Sequence, residues 1–318
     1  ERFFGEYTKE EYLSLDEDKF QKIVCAYLAE YAVKYFGEEQ LESNSFTYRL
    51  KTILDNVMYL MKHIMEELSQ SEFFVADCEL KIGEDIPSYT IVLPDGHKIA
   101  VCGSVDRVDI MQRADITYLR IIDYKTGTKQ FKLSDILYGI NLQMLLYLHS
   151  IEASGGDKYG EIVPAGILYM PATVPYISSD SLKSIDKLPD ELNKKLKMNG
   201  LLLKDTEIIH GMDKTDVATY IPVKIKAGEP VSSTSLATLA EFGKIFKKVD
   251  MLIAEMGKNI YNGNIEAKPL KGGHDSCEYC PYDSVCAYRQ SNPITCFSVD
   301  NKTVIEEITN EINGKEEE

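Results

Sequence analysis

Asp106, Asp123 and Lys125 lie inside one stretch, Gly103 to Gly127, reading GSVDRVDIMQRADITYLRIIDYKTG. Two β-rich runs carry these residues, Lys98 to Ile110 and Thr117 to Tyr124, separated by a polar six-residue connection that suits a hairpin. Side chains on a strand alternate between faces, so Asp123 and Lys125 project to one side and Tyr124 to the other. If the two runs pair, Asp106 reaches the face of Asp123, and two carboxylates and an ammonium converge. Oxygen ligands for Mg²⁺ or Mn²⁺ beside a cation are the parts a hard-cation hydrolase needs. Lys125 could orient or help deprotonate a water, or offset charge developing on a phosphate. The plainer reading is an exposed ion pair, worth little. Leu119, Ile121 and Ile122 run directly into Asp123, however, which makes this a strand buried as it reaches the acid.

Other elements must place that hairpin. Apolar residues at 3.6 spacing predict helices from Leu15 to Phe36 and from about Ser45 to Leu68. Phe73 to Ile82 and Tyr89 to Leu93 read as strands, with PDGH at 94–97 as the turn into the motif. Glu79 falls on the first of these; a carboxylate one strand before the motif could join a metal site, but it is read as a solvated sheet residue and left out of the site. Ser134 is expected to cap a helix running to about Ser150, on which Gln143 and Tyr147, four apart, share a face. PAGILYMP at 164–171 is a buried strand, and Ser178 to Glu229 is lysine-dotted and weakly periodic. Ser232 or Ser233 should open a long amphipathic helix to about Tyr261. The pattern as a whole is α/β, a mixed central sheet flanked by helices. It divides into a helical part (1–72), a catalytic core (73–178), a lysine-containing insertion (179–230), a long helix with a cysteine loop (231–292) and an acidic tail (293–318) expected to fray.

The formal charge of −16 is unevenly placed. Residues 1–95 carry 9 basic and 20 acidic side chains and residues 300–318 carry 2 and 7, whereas 96–299 carry 24 of each. The acidic excess therefore sits at the two ends and the motif segment is balanced, which argues against broad electrostatic DNA binding by this piece alone. No run approaches the roughly 18 apolar residues of a membrane span. The chain opens at Glu1 with neither an initiator Met nor a signal-peptide pattern, so a piece of a longer protein is expected. Seven cysteines, three of them spaced Cys-x2-Cys-x5-Cys, fit a reduced, cytoplasmic compartment and a metal site better than a disulfide framework. Cys277, Cys280 and Cys286 need a fourth ligand; His274 would complete a Cys₃His zinc site, and Cys296 is another local candidate.

The motif segment resembles the PD-(D/E)xK nuclease core in its RecB-like form. GSVDRVD is similar to that family's Gly-x-x-Asp motif, IIDYKTG to its Asp-Tyr-Lys motif, and YGINLQMLLYL to its Gln-x3-Tyr motif. The resemblance implies that Asp106, Asp123 and the backbone carbonyl of Tyr124 hold the metal, that Lys125 is the catalytic lysine, and that Gln143 and Tyr147 support them. CEYCPYDSVC resembles the C-terminal cluster of the AddB family of helicase-nuclease subunits, and most of the chain follows the AddB motif order. That implies a 4Fe–4S cluster on Cys277, Cys280 and Cys286, with a fourth cysteine expected upstream of Glu1. It also implies single-stranded DNA from an unwound duplex end as substrate and an AddA-type helicase-nuclease as partner, with no membrane. Two departures stand: Cys25 lies inside a helix unlike the family's first-cysteine segment, and the family's early-helix histidine has no match. Competing readings are a non-catalytic DNA-binding scaffold stabilised by a metal cluster and a zinc-containing interaction domain.

Overall fold

The apolar runs around the motif become the middle of a sheet. The computed structural model describes residues 2–127, 129–175, 188–232, 234–282, 284–286, 288 and 293–316. Helices α1 (Glu17–Phe36) and α2 (Asn44–Ser69) precede the strands β1 (Phe74–Ile82), β2 (Tyr89–Val92), β3 (Lys98–Val101), β4 (Gly103–Arg113), β5 (Ile116–Lys125), β6 (Glu161–Pro171), β7 (Asn199–Leu203) and β8 (Leu236–Ala237). Six of these form one sheet in the order β1-β4-β5-β6-β7-β8, while β2 and β3 pair with each other. Neighbours run antiparallel except β5 with β6 and β7 with β8, so the sheet is mixed.

The expected hairpin forms, but more tightly. β4 and β5 stay paired as far as Arg113 and Ile116, which leaves only Ala114 and Asp115 as the turn, with Ala114 at φ 49°. Met111 pairs with Tyr118 and is buried, and Ile116 pairs with Arg113, so both ends of the supposed linker are held as strand. The run from Lys98 is instead split at Cys102: β3 serves the small hairpin and β4 enters the main sheet.

The parallel step from β5 to β6 needs a crossover, and helix α3 (Gln143–Ser154) supplies it, packing on both strands. It does not begin at Ser134. Residues Leu133–Tyr138 wind as a 3₁₀ turn that Gly139 ends at φ 68°, where a Cβ would come within 3.0 Å of Met256 Cε. Asn141, at φ 55°, then resets the chain before Gln143.

Three further expectations change. Of the segment 179–230, read as an insertion, residues 179–187 lie outside the described residues, and the remainder supplies β7, a buried strand between β6 and β8. The long helix α4 (Leu239–Tyr261) is capped by Thr238, which exchanges hydrogen bonds with Glu241 in a capping box; Ser232 instead accepts from the Thr234 and Ser235 N–H groups, and Ser233 lies outside the described residues. The chain enters β8 first, so the helix cannot start earlier. The described part of the tail is ordered: helix α5 (Asn301–Glu316) buries Val304, Ile305, Ile308 and Ile312 against α4 and the 3₁₀ turn, and Lys248 Nζ meets Glu311 Oε2 at 2.5 Å.

Below β4 and β5 lies a group of charges with no solvent exposure. Arg107 binds both Asp109 oxygens at 2.7 Å and Glu67 of α2 at 3.0 Å; Arg120 binds the same Glu67 at 2.6 Å and Asp109 at 2.8 Å. The Arg120 guanidinium also sits 4.9 Å from the Phe73 ring centre. Burial alone would neutralise Asp109, but the two guanidiniums outweigh it and hold its carboxyl below the usual range.

Candidate active site

Arg107 pairs with Ile122 across β4 and β5, so Asp106 and Asp123 face each other one step along, on the side opposite the buried arginines. The structure thus brings the first two expected residues together. Asp106 is half-buried and its Oδ2 accepts the Tyr124 N–H at 2.9 Å. Burial pushes its pKa up; the Tyr124 N–H works against this, while the charges of Asp123 and Glu79 push the same way and Lys125 opposes them. Two acids held close in a half-buried site favour a cation between them.

Asp123 is buried, and its Oδ2 makes no hydrogen bond beyond an ion pair with Lys125 Nζ. Lys125 lies on the same side, as alternation requires, and its ammonium sits 5.5 Å from the ring centre of Tyr169 on β6. The Tyr124 side chain points to the other face, where Arg107 Nη1 approaches its hydroxyl at 3.4 Å. Among the described residues no three His, Cys, Asp or Glu side chains form a group that could hold a metal unaided. The Asp106–Asp123 pair still suits Mg²⁺, which is bound by one or two carboxylates and completes its shell with water and phosphate oxygens. The donor set therefore fits a hard cation.

Tyr147, on the second turn of α3, packs its phenol on Gly103 at the start of β4: a Cβ at Gly103 would lie 2.6 Å from Tyr147 Cζ. This contact explains why the motif begins with glycine and ties α3 to the strand of Asp106. Gln143 is the first residue of α3 and is exposed, on the same end of the helix.

Glu79 is an exposed residue of the sheet, as read, and it flanks the site. It lies across β1 from Asp106 at φ 54°, a backbone conformation uncommon outside glycine, and accepts from Ser104 Oγ at 2.9 Å. Its charge reaches Asp106, though its carboxylate is engaged elsewhere. The strand assignment alone could have flagged it, since Glu79 stands opposite Asp106 in the register.

The cysteine loop shows the expected tight turn, with the Cys280 N–H donating to the Cys277 carbonyl at 3.2 Å and the Cys286 N–H to the Tyr282 carbonyl at 2.8 Å. The thiols do not converge as a metal-binding group with each other or with His274, which is exposed. Cys296 is buried in a short parallel pairing of Ile294–Cys296 with Leu270–Gly272. Among the described residues the cysteine loop does not by itself fit a four-ligand cluster.

The description "PD-(D/E)XK nuclease superfamily" matches residues 2–287. The chain belongs to that superfamily. Several curated relatives are named as the B subunit of an ATP-dependent helicase/deoxyribonuclease. One from Thermoanaerobacter sp. (strain X514) is 38% identical over 246 residues, 76% of this chain and 21% of the relative. One from Alkaliphilus oremlandii is 36% identical over 275 residues, 83% of this chain and 24% of the relative. Another, from Alkaliphilus metalliredigens, is 33% identical over 304 residues, 92% of this chain and 26% of the relative. The chain thus spans about a quarter of the length of the curated relatives it matches. Among the described residues no helix is long and apolar enough to cross a membrane.

Proposed function

We propose that this chain is the nuclease domain of a helicase-coupled DNA-processing subunit. It is a Mg²⁺- or Mn²⁺-dependent deoxyribonuclease of exonuclease type that hydrolyses phosphodiester bonds in a single strand leaving an unwound duplex end. It works with an AddA-type helicase-nuclease partner in recombinational repair of breaks. The observation that carries this reading is the buried Asp123 carboxylate, whose Oδ2 is met only by Lys125, facing a second carboxylate on the neighbouring strand.

Asp106 and Asp123 would hold the cation, helped by the Tyr124 carbonyl. Bound there, the cation would supply charge neutralisation at the scissile phosphate. Asp106 is kept in place by the Tyr124 N–H, so its free oxygen has a fixed direction. Lys125 orients the attacking water and offsets the charge that develops on the phosphate. Tyr147 holds the Gly103 end of β4 and Gln143 offers an amide at the same end of α3. A 4Fe–4S cluster on Cys277, Cys280 and Cys286 would need a fourth ligand and a closer approach of the three thiols than the described residues make; it would enter no step of the reaction, and iron and sulfide analysis of the full-length subunit tests it.

The test of the site is cleavage of an end-labelled single strand by the full-length subunit assembled with its partner. Asp123→Ala and Lys125→Ala should each lower kcat at least about a hundredfold, the range for loss of a transition-state charge partner. Activity indifferent to both substitutions refutes the assignment.

A further inference from the structure

Tyr169 carries two ammonium groups on its ring. It stands beside Asp123 in the parallel ladder of β5 and β6 and is almost fully buried, so its position is fixed by the core. Lys125 Nζ lies 5.5 Å from the ring centre and Lys129 Nζ 5.2 Å. The loop bearing Lys129 is fastened as well: Asn199, at the start of β7, donates from Nδ2 to the Lys129 carbonyl at 3.1 Å, and its Oδ1 accepts the Phe131 N–H at 2.7 Å. A side-chain amide bridging two backbone groups of one short loop fixes the point from which the Lys129 side chain reaches towards Tyr169.

Lys129 is half-buried, and among the described residues it forms no ion pair with a carboxylate. The nearest acids are committed. Asp123 pairs with Lys125, and Asp135 accepts from Asn141 Nδ2 at 2.7 Å. Burial pushes the Lys129 ammonium towards neutrality and the charge of Lys125 adds to this, with Asp123 and Asp135 pulling the other way. A cation held beside another cation, partly out of water and with no ion pair of its own, is stabilised by any anion that arrives between them. The aromatic face suits this arrangement because it attracts both ammonium groups without neutralising either.

We propose that Lys129 binds a backbone phosphate of the DNA strand adjacent to the phosphate served by Lys125, making the loop after β5 a second phosphate subsite of the active centre. The assignment rests on the nuclease reading of Asp106, Asp123 and Lys125. Lys129 acts as a point charge, so it contributes to holding the strand and not to bond cleavage; Asn199 is its positioning residue.

The experiment measures steady-state cleavage of a short end-labelled single strand, without ATP, by the full-length subunit in its complex, across a range of salt concentrations. The Asp123→Ala complex supplies the background from any other subunit. Lys129→Met should raise KM on the order of tenfold with kcat within about twofold, and flatten the plot of log KM against log salt by about 0.7, the share of one phosphate on a single strand. Lys129→Arg should recover both quantities. Asn199→Ala should raise KM but leave the salt slope unchanged, because the charge remains. An unchanged KM and slope in Lys129→Met, or a fall confined to kcat, overturns the subsite while the nuclease stands. If Asp123→Ala and Lys125→Ala cleave like the parent, the nuclease reading falls and takes the subsite with it.

Discussion

Glu67 is the residue whose loss should be felt most in stability. It has no solvent exposure and is shared by two guanidiniums, accepting from Arg107 Nη2 at 3.0 Å and from Arg120 Nη2 at 2.6 Å. With Glu67→Ala, Asp109 alone faces both arginines, and one buried positive charge is left uncompensated. Breaking a buried pair in this way costs about 3–5 kcal/mol, set against a total stability of about 5–15 kcal/mol for a domain. At about 2–4 °C per kcal/mol for a chain of this size class, the midpoint of thermal unfolding should fall by roughly 6–20 °C. The assay is thermal and urea unfolding followed by circular dichroism, with the neighbouring Glu66→Ala as reference, expected within about 0.5 kcal/mol of the parent. A loss below about 1 kcal/mol for Glu67→Ala would refute the argument, since it would mean that the arginines find other partners or water. Glu67→Gln, which retains an acceptor but not the charge, should fall between the two.

Two further outcomes follow from the geometry. His149 lies 3.2 Å from Asp250 and from Glu152 and stacks on Phe246; burial lowers its pKa, but the two carboxylates outweigh burial and raise it to about 9. A folded pKa raised above the ordinary 6.5 contributes stability that is fully present below about pH 6.5 and lost as pH rises through about 9. The unfolding midpoint should therefore drop between pH 7 and 10, and His149→Phe should flatten that slope; parallel slopes in the two proteins would dismiss the histidine. Gly103→Ala, which drives a Cβ into the Tyr147 phenol, should cost about 1–3 kcal/mol. Combining it with Tyr147→Ala should cost less than the sum of the single changes, and strict additivity in denaturant titrations would show that the two residues do not touch.

The hairpin of β4 and β5 was legible because its chemistry and its pattern agree: alternation puts Asp106, Asp123 and Lys125 on one face, and the run Leu119 to Ile122 marks a strand buried on both faces as it reaches the acid. Helix starts were harder. Ser134 and Ser232 are good capping residues by type, yet Gly139 and Asn141 at positive φ interrupt the first helix, and the pairing of β8 delays the second. The strand β7 was hidden because Asn199 and Gly200 are poor strand formers alone and gain their place from β6 and β8 on either side. α5 was visible in principle, since Val304, Ile305, Ile308 and Ile312 recur at helical spacing, but the surrounding acids made the segment read as solvated. Glu79 was within reach of the strand assignment, whereas Lys129 depends on a loop clamp from Asn199, which leaves no local mark in the sequence.

The strand pair β4–β5 is ionic on both of its surfaces. Asp106, Asp123 and Lys125 occupy one, and Arg107, Asp109 and Arg120 occupy the other. A slip of one residue in either strand turns that strand over, sending an arginine towards the side of the candidate site and an unmatched aspartate beneath the sheet against Glu67. Misaligned hairpins are thus penalised by like charges meeting in a dry interior, a far steeper penalty than a hydrophobic core alone would impose. The same alternation that places the candidate nuclease residues also proofreads the alignment on which they depend.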